Sequence, residues 1–177
     1  MIFANPFRKN LQRILTSDFG QRCLDKDSSN DNKVGDVHEG IDLSACIGKE
    51  LRSPCNGTVL YVGTDTNSTG GKYVIIKTNY LGYAHPNHDT AYSIYITYMH
   101  MDTVKVSVGA SVGVNTLIGT SGDSEKTSSG ASYDAHLHYG VFLGSTLHTN
   151  GYVNPNTDLL DPWMFSPDIL DKEEVDI

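Results

Sequence analysis

Five short runs of β-branched and aromatic residues are spread along the chain: residues 58–62 (TVLYV), 73–77 (YVIIK), 93–98 (SIYITY), 103–108 (TVKVSV) and 137–142 (LHYGVF). Side chains branched at Cβ, and flat rings, pack well on a pleated surface, so each run is predicted to be a strand. In 103–108 the valines 104, 106 and 108 alternate, as one buried strand face requires. Turn chemistry falls between the runs. Asn56-Gly57 precedes the first and is a hairpin signal; Ser68, Thr69, Gly70 and Gly71 precede the second. Helical periodicity is scarce, and its best candidate is the short stretch 6–15. The expected fold is all-β, mainly antiparallel sheet with little helix.

The length of 177 residues suits one domain, able to bury a core without a metal or disulfide staple. Any metal site is then expected to serve function. The expected layout is an N-terminal segment 1–15, a domain over 16–166 and a frayed tail 167–177, whose last ten residues carry five acidic groups. Two polar stretches, 80–91 and 121–135, read as long functional loops. With 38% hydrophobic and 19% charged residues, neither disorder nor a membrane segment is expected. Thirteen basic residues against 21 acidic give a net charge of −8, a poor match to nucleic acid. Arg8, Lys9 and Arg13 form the one basic cluster and read as solvated charges. Cys23, Cys46 and Cys55 show no C-x-x-C spacing; a Cys46–Cys55 pair and free thiols both stay open. Asn56-Gly57-Thr58 and Asn67-Ser68-Thr69 match glycosylation sequons, but turn chemistry explains them more simply. The first residues lack the charged and apolar regions of a signal peptide.

The chemistry-bearing residues fall in three places. In Ala135-His136-Leu137-His138 the two histidines are two apart on a strand pattern, so they share a face. In Val37-His38-Glu39-Gly40-Ile41-Asp42 a histidine and an aspartate stand four apart, and Gly40 favours extended or turning backbone over helix. Neutral imidazole and carboxylate both suit Zn²⁺. His100 closes the run 93–98 and is placed to reach a cleft. Each motif alone has an ordinary reading as surface or hydrogen-bonded histidine. His85, His88 and His148 read as surface residues.

Taken in order, H-x-x-x-D, an isolated His and H-x-H resemble the lysostaphin-type (β-lytic) zinc metallopeptidases, which are peptidoglycan endopeptidases. The likeness spans about residues 16–165. It is supported by 16–22 (TSDFGQR), 53–59 (SPCNGTV), 71–76 (GKYVII) and 118–122 (IGTSG). The resemblance implies that His38, Asp42 and His138 hold one Zn²⁺ ion, with His100 and His136 as catalytic histidines beside it. It also implies a substrate groove over the sheet, walled by the stretches 80–91 and 121–135, both unusual for the family. The implied partner is a peptidoglycan peptide, and the implied location is extracellular or in the cell envelope. A monomer is expected, without nucleic acid or membrane partners. The competing expectations are a catalytically inactive relative acting as an envelope-assembly scaffold or activator, and a structural zinc module. The five filled positions favour activity, and three ligands with two spare histidines fit catalytic better than structural zinc.

Overall fold

A computed structural model describes residues 2–7, 14–21, 37–66, 70–83, 91–124, 134–144 and 159–166. The strands are β1 (Ile14–Ser17), β2 (Gly20–Gln21), β3 (Val37–His38), β4 (Ile41–Ser44), β5 (Glu50–Arg52) and β6 (Gly57–Gly63). They continue with β7 (Lys72–Tyr83), β8 (Ala91–Val104), β9 (Ser111–Val112), β10 (Leu117–Ser121), β11 (His136–Gly144) and β12 (Leu159–Leu160). A 3₁₀ turn, Pro162–Met164, follows β12. Among the described residues, one ten-stranded sheet runs β1-β4-β11-β8-β7-β6-β9; β10 pairs with β5 and β8, and β12 with β11. Every pairing is antiparallel. The expected all-β architecture is observed.

The main core lies on one face of the sheet. Ile41 and Leu43 of β4, Leu137, Tyr139, Val141 and Leu143 of β11, Ile94, Ile96 and Tyr98 of β8 and Val74 and Ile76 of β7 are all buried there. Tyr98 and Tyr139 meet edge to face at 5.5 Å, and the Tyr98 hydroxyl donates to the Arg52 carbonyl at 3.0 Å. The other face carries a smaller cluster of Ile75, Tyr95 and Phe142, flanked by Tyr61, Tyr73 and Leu159.

Residues 2–7 belong to this body. Phe3 and Phe7 are buried in the core, the Phe3 N–H donates to Phe165 O at 2.6 Å and Phe7 bridges to Leu51. The helical candidate 6–15 is not observed where it can be seen: Phe7 is a bridge residue and Ile14 opens β1. Residues 8–13 of that stretch lie outside the described residues.

Other expectations need correction. The run 103–108 is a strand only through Val104. Val104 and Val106 pack against the core, but Val108 is exposed where the chain turns at Gly109, φ 84°. The alternation therefore reported burial and missed the turn. Asn56-Gly57 is no hairpin turn, since β5 and β6 do not pair. Gly57 instead allows a close crossing: a Cβ there would stand 2.5 Å from Lys77 O. The stretch 80–91 is less of a loop than expected. Leu81 pairs with Ser93, Gly82 with Tyr92 and Tyr83 with Ala91, so β7 and β8 extend into it. Residues 84–90, 125–133 and 167–177 lie outside the described residues, as do Cys23, His85, His88 and His148. Cys46 and Cys55 are free thiols, so the Cys46–Cys55 pairing is not formed. Burial pushes the Cys55 thiol up to about 12.

Candidate metal centre

Strand pairing brings the three motifs together. β4 and β11 pair with Asp42 directly opposite His138, and paired residues project from the same face. His38 ends β3, one turn before β4, so the H-x-x-x-D spacing spans two strands and the bend between them. That bend needs Gly40. A Cβ on it would lie 2.5 Å from Tyr139 O and 2.9 Å from His138 Nε2.

Three atoms converge: His38 Nε2 lies 3.1 Å from Asp42 Oδ1 and 3.1 Å from His138 Nδ1, and His138 Nδ1 lies 2.9 Å from Asp42 Oδ1. Tetrahedral zinc with ligand bonds of about 2.0–2.1 Å separates its ligand atoms by roughly 3.3 Å. The observed triangle is close to that size. The donor set, two imidazole nitrogens and a carboxylate oxygen, is one that zinc accepts. His38 is oriented by its other nitrogen. Its Nδ1–H donates to the Asp18 carbonyl at 2.7 Å, which leaves Nε2 as a lone pair aimed at the centre. These residues fit a metal ion.

His136 stands two residues before His138 on the same face. Its Nδ1–H donates to Asp134 O at 2.7 Å, and its Nε2 lies 3.9 Å from Asp42 Oδ1. His100 arrives from β8. Its ring centroid lies 4.6 Å from that of His136 and 5.9 Å from that of His138. The backbone explains how a strand-end histidine reaches this place. β8 follows β11 up to Met99, opposite His138, and takes up β10 at Met101, opposite Ser121. Between them His100 has φ 63°, in the left-handed region. That conformation is unusual for a residue with a side chain, though less so for histidine, and it re-aims the ring across the break in register. All five residues singled out in the sequence thus meet at one place.

The electrostatics suit neutral His100 and His138 imidazoles beside the fixed charge of Asp42. Burial pushes the Asp42 carboxyl up, but the His138 and His38 rings beside it outweigh that and hold it far below the ordinary carboxylate range. Burial, with the neighbouring His136 and His138 rings, pushes His100 down to about 3. Burial lowers His138 as well, against the pull of Asp42. Sequence reasoning missed the roles of Asp18 and Asp134, because both act through backbone carbonyls that any residue type carries.

Residues 36–155 match the family model for Peptidase family M23. The catalytic domain of the antimicrobial peptidase lysostaphin from Staphylococcus simulans is a similar structure. It is 22% identical with a TM-score of 0.59, over 85% of this chain and 90% of that one. The catalytic domain of a variant of the prophage-encoded M23 protein EnpA from Enterococcus faecalis is 24% identical with a TM-score of 0.58, over 90% of this chain and 95% of that one. A zinc-containing peptidase from Vibrio cholerae is 21% identical with a TM-score of 0.59, over 87% of this chain and 40% of that one. No curated protein matches the chain. On the family match over most of its length, the chain belongs to peptidase family M23.

Proposed function

We propose that this peptidase is a zinc-dependent endopeptidase that hydrolyses peptide bonds in peptidoglycan stems or cross-bridges. The observation that carries the reading is the triangle of His38 Nε2, Asp42 Oδ1 and His138 Nδ1, with sides of 2.9–3.1 Å. Those three residues would hold one Zn²⁺ ion. Zinc in such a site acidifies water and polarises a carbonyl, the two obstacles to amide hydrolysis.

The chain's own residues divide the remaining work. Asp42 supplies the fixed negative charge, and its low pKa keeps it ionised across the physiological range. His136 has its Nδ1–H committed to Asp134 O, so Nε2 faces the centre as an acceptor. It is suited to take a proton from the attacking water and return one to the leaving amine. His100 is held neutral by burial. A neutral imidazole offers an N–H to a developing oxyanion without bringing a charge of its own. The residues facing the centre come from β3, β4, β8 and β11, so the site is preorganised on strands.

The peptidase unit in this reading is 16–166, with residues 2–7 packed onto it, and it acts as a monomer because one chain supplies the whole site. A peptidoglycan substrate puts the protein in the envelope or outside the cell. Among the described residues no helix is long and apolar enough to cross a membrane.

The test is digestion of purified peptidoglycan by the full chain, with products identified by mass spectrometry. New amine and carboxyl ends that vanish with chelator and return with zinc are expected. A chain loaded with one zinc that cleaves no peptidoglycan type would refute the proposal.

A further inference from the structure

The His38 ring is tied, through two hydrogen bonds in series, to the C-terminal turn. Its Nδ1–H donates to Asp18 O at 2.7 Å, while the Asp18 carboxylate accepts the Trp163 indole N–H at 2.8 Å, across 145 positions of sequence. Asp18 stands between β1 and β2, outside any strand. Its other local hydrogen bond is from the Phe19 N–H to the same carboxylate oxygen, at 2.8 Å. The next residue, Gly20, has φ 94°. Strand pairing holds this short, bent connection at its ends, Ser17 opposite Asp42 and Gly20 opposite His38, while the Asp18 carboxylate between them meets Trp163.

Trp163, by contrast, is firmly held. The Asp161 side chain caps its N–H at 2.9 Å, and Pro162 opens the 3₁₀ turn with the fixed φ that suits a first position. Phe165 stacks on Phe3 at 5.3 Å, and Leu160 pairs with Val141 of β11. The buried Ser166 lies 3.4 Å from the Tyr139 hydroxyl. The turn is therefore anchored both to the N-terminal strap and to the strand that carries His136 and His138.

We propose that Trp163 is a positioning residue for the metal centre. By gripping the Asp18 carboxylate it sets the Asp18 carbonyl against His38 Nδ1, and so holds the His38 Nε2 lone pair toward Asp42 and His138. This rests on the assignment of His38 as a zinc ligand made above. The Trp163–Asp18 bond is exposed, so its direct contribution to stability is small; its effect is on the direction of one ring. Removal of a partner that orients a ligating histidine typically costs 10–100-fold in metal affinity. One step further out, the low end of that range is expected.

The test uses three variants of the full chain. Trp163→Phe keeps a ring and loses the N–H. Asp18→Ala loses the acceptor, and Asp18→Asn keeps it. Zinc dissociation constants are read by competition with a chromogenic chelator, alongside the Tm of the zinc-free proteins and the exchange rate of the His38 Nδ1–H proton by NMR. Trp163→Phe and Asp18→Ala should weaken zinc binding about tenfold and speed that exchange. Asp18→Asn should stay within about twofold of the parent, because its amide oxygen still accepts. Unchanged zinc affinity in Trp163→Phe and Asp18→Ala overturns the proposal, whether or not the zinc-free Tm falls. A parent chain that binds no zinc removes the ligand assignment and this proposal together; a parent that binds zinc with variants that match it removes this proposal alone.

Discussion

Leu137, Tyr139, Val141 and Leu143 of β11 point into the main core, whereas His136 and His138, one position out of step, lie beside Asp42 and His100 on the other face. Over residues 136–139 one strand thus carries packing on one side and chemistry on the other, before Phe142 returns the second face to packing. The difference shows how the site is held. Slipping β11 by one residue would drive the histidines into the core and the aliphatic side chains onto the site, so burial on one face enforces placement on the other. The core face needs volume and apolarity. The site face needs particular atoms at particular distances.

The first way to break this comparison is to change the site face alone. His136→Ala and His100→Asn remove imidazoles without touching the three converging ligand atoms, and asparagine tolerates the left-handed backbone at position 100. Hydrolysis should fall by about 10²–10⁴-fold in each, with Tm within a few degrees of the parent. Peptidoglycan turnover and a thermal melt on the same sample check both halves. The converse change, Leu137→Ala, empties a fully buried core position. Denaturant unfolding should register a loss of about 2–5 kcal/mol, while zinc bound per folded molecule stays the same. A zinc-binding defect in Leu137→Ala would show that the two faces are not separable.

Gly40 sits where the two faces meet, and its effect should be mixed. Gly40→Ala forces a methyl against Tyr139 O and the His138 ring. It should cost about 1–3 kcal/mol of stability and also weaken zinc binding. An alanine variant that loses stability but keeps full zinc affinity would confine the role of Gly40 to packing.

The smallest effect sharpens the electrostatic side. His100 has its folded pKa lowered to about 3 from an ordinary 6.5, so below pH 6.5 the unfolded chain binds the proton more readily than the folded one. Stability of the zinc-free protein should therefore fall as pH drops from 6.5 toward 3. Between pH 7 and pH 5 the loss should be on the order of 1–2 kcal/mol. Asp42, with its depressed pKa, acts in the same direction at still lower pH. Zinc-free melts across this range that stay flat for the parent, or fall equally in His100→Asn, would remove His100 as the cause.

Much of this molecule could be read from its residues, for a physical reason in each case. β6, β7, β8 and β11 were visible because β-branched and aromatic runs mark pleated, buried surface. Their lengths were not. Gly82, Tyr83 and Ala91 extend β7 and β8, because cross-strand hydrogen bonds hold a ribbon together without a run of β-branched side chains. The turn at Val108 was hidden by an alternation that Val106 satisfied and Val108 did not. At the site, the side chains that converge were legible from the order H-x-x-x-D, His and H-x-H and the family resemblance that this order carries, since each motif alone has an ordinary reading. Their supports were not. Asp18 and Asp134 present carbonyls, Trp163 comes from the other end of the chain, and the backbone conformation that re-aims His100 has no signature in residue type.

The central claim is the division of labour between two histidines on one strand face. It is tested most directly by metal analysis of His138→Ala and His136→Ala, purified side by side and compared with the parent. The account predicts one zinc per chain in the parent and in His136→Ala, and none in His138→Ala. Loss of zinc from His136→Ala as complete as from His138→Ala would contradict it.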